Sequence, residues 1–155
     1  MRLLMACTCL TPVFLLLPHA AALAETTVTT ARTTPISTAT ANNGAADSIK
    51  ITSTGSIKPT SGVAVTVNSN HDVTNEGTIQ TTDASNSAGI VAQAGVTASI
   101  TNKGTITLDE TYAPTDTDKD GDIDGPLAQG QGRFGIRTLG ALTGSVLNSG
   151  AITIE

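Results

Sequence analysis

Apolar and small polar residues alternate through most of the chain after Ser48. Between Ile100 and Thr107 one set is Ile100, Asn102, Gly104 and Ile106, and the other is Thr101, Lys103, Thr105 and Thr107. This is the period of a β-strand with one buried face, and no helical spacing competes with it. The pattern recurs as a phrase. Val73-Thr74-Asn75-Glu76-Gly77-Thr78-Ile79 returns as Ile100-Thr101-Asn102-Lys103-Gly104-Thr105-Ile106 and as Val146-Leu147-Asn148-Ser149-Gly150-Ala151-Ile152. A weaker copy, Ile51-Thr52-Ser53-Thr54-Gly55-Ser56-Ile57, has Ser53 in place of Asn. A second phrase precedes three copies: Gly62-Val63, Gly89-Ile90 and Gly135-Ile136 begin 11 residues before Val73, Ile100 and Val146.

One unit of about 20 residues cannot bury its apolar face alone, whereas stacked units can cover one another. The expected architecture is therefore all-β: a parallel β-helix of about three to four coils. Val73 would stack on Ile100 and Ile100 on Val146, and Asn75, Asn102 and Asn148 would form a column of bonded amides. A sandwich of similar hairpins is the competing architecture, but hairpins do not require a fixed register between two phrases. The recurring Gly and Asn are expected to supply positive φ at sharp turns. Spacing between the phrases varies, from 7 residues (Gly55 to Gly62) through 12 (Gly77 to Gly89) to 31 (Gly104 to Gly135). Insertions are thus expected at a single corner, where solenoids carry loops and binding surfaces, with the rest of each coil constant in length.

The flanks divide the chain further. Residues 1–24 read as a signal peptide: Arg2, an apolar run from Leu3 to Leu17, Pro18, and a small-x-small site at Ala22-Leu23-Ala24. The apolar run is too short to span a bilayer. Cys7 and Cys9, the only cysteines, fall within it, so the exported chain would carry neither thiol nor disulfide. Residues 25–47, rich in Thr, Ala and Ser, are expected to be disordered or to cap the first coil. Residues 48–155 hold the repeats, with an acidic insertion at about 109–131. Because Ile152-Thr153-Ile154-Glu155 is strand-like and leaves an open edge, the chain is expected to be a fragment of a longer protein.

Charge and composition narrow the partners. Beyond residue 24 there remain 7 Lys and Arg against 13 Asp and Glu, a formal charge of −6, which argues against nucleic acid. Tyr112 and Phe134 are the only aromatics left, so the interior must be filled by Val, Ile, Ala and Thr.

The insertion contains Asp116-Thr117-Asp118-Lys119-Asp120-Gly121-Asp122-Ile123-Asp124-Gly125. Carboxylates at alternate positions, then Gly where the chain bends, are what a loop needs to fold around Ca²⁺. The candidate ligands are Asp116, Asp118, Asp120, Asp122 (through its carbonyl) and Asp124, with Asp109 or Glu110 as possible additions. The opening half resembles an EF-hand loop, and the spacing is similar to calcium repeats of thrombospondin and dockerin modules. Leu127 stands where an EF-hand has its bidentate Glu, and no helices flank the loop. The competing reading is a solvated acidic tip. A bound Ca²⁺ would be structural, since no redox or nucleophilic group accompanies it.

No catalytic constellation is evident. His71 sits in a polar corner, no Gly-x-Ser-x-Gly elbow occurs, and adjacent Asp109 and Glu110 would point to opposite faces of a strand rather than act as a glycosidase pair. The chain is expected not to be an enzyme.

Together, the signal peptide, the Thr/Ser/Ala-rich stretch and the signature Gly-Ile…Val/Ile-x-Asn-x-Gly-x-Ile at 73–79, 100–106 and 146–152 resemble the start of a bacterial autotransporter passenger of the type V secretion system. The resemblance covers about Ser48 to the end. It implies a right-handed β-helix, exported through the inner membrane and displayed at the cell surface by a C-terminal outer-membrane β-barrel, acting as a structural or adhesive rod toward host or neighbouring-cell ligands. Two alternatives stand beside it: part of a secreted β-helical enzyme acting on polysaccharide, and a small secreted calcium-binding module.

Overall fold

The computed structural model describes residues 25–155; the expected signal peptide, with Cys7 and Cys9, lies outside the described residues. The chain makes successive passes through three sheets. The first pass is β1 (Glu25–Val28), β2 (Ala31–Arg32) and β3 (Ile36–Ser37); the second is β4 (Ser48–Ile51), β5 (Ser56–Ile57) and β6 (Val63–Val67). The third is β7 (Val73–Asn75), β8 (Thr78–Thr82) and β9 (Ala88–Ala92). The fourth opens on a short β10 (Val96–Thr97) and continues as β11 (Ile100–Asn102), β12 (Thr105–Asp109) and β13 (Phe134–Thr138). The last holds β14 (Leu142–Thr143), β15 (Val146–Asn148) and β16 (Ala151–Ile154).

The first sheet has the order β1-β4-β7-β11-β15, the second β2-β5-β8-β12-β16 and the third β3-β6-β9-β13, with β10-β14 as a two-stranded corner sheet. Every ladder is parallel. Antiparallel pairing among the described residues is limited to two isolated bridges, so the hairpins of a sandwich are absent there.

Period-two alternation decides which residues enter the core. Ile49, Val73 and Ile100 form one column, Ile57, Ile79 and Ile106 a second, and Val65 and Ile90 a third, all fully buried. Branched aliphatics suit this interior because their stiff side chains stack on a pleated surface with little loss of rotamer freedom. Ile100 pairs with Val73 on one side and Val146 on the other. Beside that column, Asn75 Nδ2 donates to Asn102 Oδ1 and Asn102 Nδ2 to Asn148 Oδ1, both at 2.7 Å. Val146, Ile152 and Ile154 are exposed because no described strand pairs with the outer edges of β15 and β16.

Four expectations are corrected. Residues 25–47 are ordered as a first pass rather than disordered: β1, β2 and β3 pair with β4, β5 and β6, and Val28 and Ile36 are buried. Thr38 is buried and its hydroxyl accepts from the amides of Asn68 and Ser69, which shows how a Thr-rich segment can be held without many large apolar groups.

The weak copy of the phrase is out of register by two. Ile49 and Ile51, not Ile51 and Ser53, lie beside Val73 and Asn75, and register is regained at Ile57 with Ile79 because the turn 52–55 is longer than 76–77. Likewise Val65, not Val63, aligns with Ile90, and Ile90 with Ile136. Gly62 is a corner residue with φ +77°, distinct from Gly89 and Gly135.

Length varies at more than one corner. Linkers between second- and third-sheet strands run over 33–35, 58–62, 83–87 and 110–133, but those returning to the first sheet also differ, 38–47 against 68–72.

The glycines of the first phrase are not there for positive φ. Gly55, Gly77, Gly104 and Gly150 lack it, but a Cβ on each would lie 2.0–2.2 Å from a carbonyl oxygen of the preceding pass. Close approach of successive backbones is what requires Gly at this column, and the first pass, with no described neighbour before it, carries Thr30 there instead.

Candidate metal centre

The acidic loop belongs to the segment 110–133, which leaves the second sheet after Asp109 and enters the third at Phe134. Its two ends are drawn together by one buried ion pair. Arg133 approaches Glu110 at 2.9 Å, with side-chain exposures of 4% and 7%. The Glu110 carboxylate also accepts the amides of Gly130 at 2.7 Å and Gln129 at 2.9 Å. Arg133 Nε donates to the Ala84 carbonyl, and the guanidinium also meets the Glu155 carbonyl. The Glu110 carboxyl is held below its ordinary range, chiefly by the Gly130 amide, against the opposing pull of burial; the Gln129 amide and Arg133 add to the effect.

A second tie joins the insertion to the preceding pass. Asp83, in the left-handed region at φ 57°, accepts the Thr111 amide at 2.7 Å and the Thr111 hydroxyl, and these bonds lower its carboxyl pKa. Asn86 donates its amide to the Gln131 carbonyl at 2.7 Å. The neck is therefore fixed on both strands before the acidic residues begin.

Beyond the neck, an isolated bridge between Thr115 and Asp124 closes the acidic loop upon itself. Asp116 Oδ1 accepts the Lys119 amide and its Oδ2 the Gly121 amide, while Asp118 accepts from Asp120 and Asp120 from Asp122. These side-chain-to-backbone bonds curl the chain, and Gly121 takes φ +103° at the bend. One carboxylate oxygen from each of Asp116, Asp118 and Asp120 then falls within 4.8 Å of the others, all three residues being exposed.

Five aspartates were candidate ligands, and these three carboxylates converge. Asp124 instead uses Oδ2 to cap the amides of Thr117 at 2.7 Å and Asp118 at 3.2 Å. The Asp122 carboxylate is outside the cluster, leaving its carbonyl as the group it could offer. Asp109 and Glu110 do not join: Asp109 accepts from Gln80 at 3.1 Å, while Glu110 is committed to the neck. Their different partners also separate them as a carboxylate pair. His71, in its corner, is hydrogen-bonded to the Ser69 hydroxyl at 3.0 Å.

The donor set suits a hard cation. Three carboxylate oxygens close together on a loop curled by its own amides repel one another, and a hard cation would neutralise that repulsion. What sequence reasoning missed is the neck. Its signal was present as opposite charges, Glu110 and Arg133, flanking the insertion, but nothing local shows that 22 intervening residues return the chain to the same place.

No family model, no curated protein and no solved structure matches the chain.

Proposed function

We propose that the passes form a right-handed parallel β-helix, and that the chain is a segment of an exported, surface-displayed passenger acting as a structural or adhesive rod. The observation that carries this reading is the parallel, in-register pairing of the repeated phrase, Val73 with Ile100 and Ile100 with Val146. Parallel strands joined by crossovers take the right-handed sense almost without exception, which supports the hand. A stack of passes with an aliphatic interior is stiff along its axis, and a long corner loop is the natural place for contact with host or neighbouring-cell ligands. The signal peptide read from residues 1–24 supports export, and an outer-membrane β-barrel translocator is the expected partner.

The loop 115–125 would hold Ca²⁺ through Asp116, Asp118 and Asp120 with the Asp122 carbonyl. The ion would serve structurally, neutralising the aspartates and ordering the tip of the insertion.

Two experiments test the reading. An epitope carried in the 111–132 loop should be stained on intact cells and removed by added protease; an epitope reached only after lysis refutes surface display. Isothermal titration with Ca²⁺ should give a dissociation constant of about 10⁻⁴ to 10⁻³ M, lost on Asp120→Ala. Absence of heat across that range, or equal binding by the variant, refutes the calcium loop and leaves the rod standing.

A further inference from the structure

The outer face of the third sheet holds a groove that the rod and the calcium loop leave unused. Two outward columns form it: Thr66, Val91 and Arg137 in register, and beside them Val63, Ala88 and Phe134. The groove has a volume of about 200 Å³, and Asn86, Gln93 and Leu139 also line it. Val91, although it faces outward, is only 5% exposed, whereas Phe134 is 39% exposed, an unusual position for one of the two aromatics among the described residues.

The guanidinium of Arg137 lies 4.5 Å from the centroid of the Phe134 ring. Stacking of this kind fixes the plane of an arginine through its π-face and leaves the N–H edges free. Among the described residues Arg137, like Arg32, Lys58 and Lys119, has no acidic partner, whereas Lys50 and Lys103 share Glu76 and Arg133 pairs with Glu110. Arg137 thus holds an oriented guanidinium without an acidic partner, in a concavity lined by the apolar Val91, Ala88 and Leu139 together with the polar Thr66, Asn86 and Gln93. Planar donor edges of this geometry match a carboxylate bidentately.

We propose that this groove binds a small carboxylate carrying a flat or ring-shaped apolar face, the carboxylate on Arg137 and the ring beside Phe134, Val91 and Leu139. The size of the groove suits one ring. The acid could be aromatic or the acidic unit of a sugar, sources that share the chemistry and are separated by the test below. The site is independent of calcium and of surface display.

The test is NMR titration of the ¹⁵N-labelled chain, following the Arg137 Nε–Hε resonance, with phenylacetate and glucuronate as probes and their methyl esters as neutral controls. At least one acid should bind with a dissociation constant of about 1 mM, moving the Arg137 signal, and its ester should bind roughly tenfold more weakly. Binding of phenylacetate alone assigns an aromatic acid, and of glucuronate alone a sugar acid; binding of both supports the shared chemistry. Arg137→Gln should abolish the shift of the neighbouring Phe134 and Val91 amides, whereas Lys58→Gln, which removes a cation elsewhere, should leave it. Amide shifts in the unaffected first sheet report that each variant is folded. The proposal is overturned if neither acid moves the Arg137 resonance up to about 50 mM, if ester and acid bind alike, or if Arg137→Gln binds as the parent does.

Discussion

Asn102 offers the sharpest test of how the passes are held together. It is fully buried, accepts from Asn75 and donates to Asn148 at 2.7 Å each, and makes a longer bond to the Ala151 carbonyl at 3.3 Å. A hydrogen bond contributes about 1 kcal/mol net, and truncating one partner also strands the other, at about 1–3 kcal/mol for a buried group. In Asn102→Ala the stranded group is chiefly the Asn75 amide, left with only its 3.3 Å bond to the Thr105 carbonyl, since Asn148 lies at the exposed end of the column. Adding a small cavity brings the expected loss to about 3–4 kcal/mol. Asn148→Ala, where water replaces the amide, should lose under about 1 kcal/mol.

Asn102→Asp distinguishes hydrogen bonding from volume, because it keeps the shape and the acceptor but removes the donor and introduces a charge. At neutral pH it should be at least as damaging as the alanine variant. Burial raises the pKa of the new carboxyl in the folded state above its unfolded value of about 3.9, so protonation restores a donor there first. The deficit relative to the parent protein should therefore be full at neutral pH and shrink as pH falls through the raised folded value. Urea unfolding followed by circular dichroism at pH 7.5 and pH 5 measures both effects. A loss below about 1 kcal/mol for Asn102→Ala, or a deficit for Asn102→Asp that does not change with pH, would refute the view that the amide column bonds the passes.

Other expectations follow from the same geometry. Ile100→Asp, at a fully buried position, should cost over about 4 kcal/mol in urea unfolding, while Thr101→Asp on the outer face should stay within about 1 kcal/mol; comparable losses would contradict the facing. Gly104→Ala places a Cβ 2.1 Å from the Gly77 carbonyl oxygen and should cost roughly 3 kcal/mol or more in melting experiments, whereas Gly95→Ala meets no atom within 4 Å and suffers only the strain of φ +80°, about 1 kcal/mol. The neck should open in acid. Glu110 has a pKa depressed below its ordinary 4.5, so its contribution is present above that value and is lost as pH falls through the lower folded value. Limited proteolysis with pepsin should then cut within 111–132 at a pH where the strands resist, and Glu110→Gln should show the same cutting at higher pH; equal resistance of parent and variant would remove the neck's role.

Much of the architecture was legible because its signals are short-range. Alternation of Ile100, Asn102 and Ile106 with Thr101 and Thr105 needs only the two-residue period of a strand, and three copies of one phrase need only stacking to bury their apolar face. The curl of the acidic loop is similarly local, since Asp116, Asp118 and Asp120 each accept an amide two to five residues further on. What tertiary structure decided is everything that depends on which residue lies above which. Phrase matching put Ser53 beside Asn75, but the ladder puts Ile51 there, because pairing is settled by burial across passes and a longer turn can absorb two residues without disturbing it. The same holds for Gly77 and Gly104, required by a carbonyl one pass away rather than by their own φ, and for Glu110 and Arg133, whose 23-residue separation in sequence closes to 2.9 Å in space. Sequence order carries the period of a strand, but distances between passes are set by side chains and carbonyls that only the folded stack brings into contact.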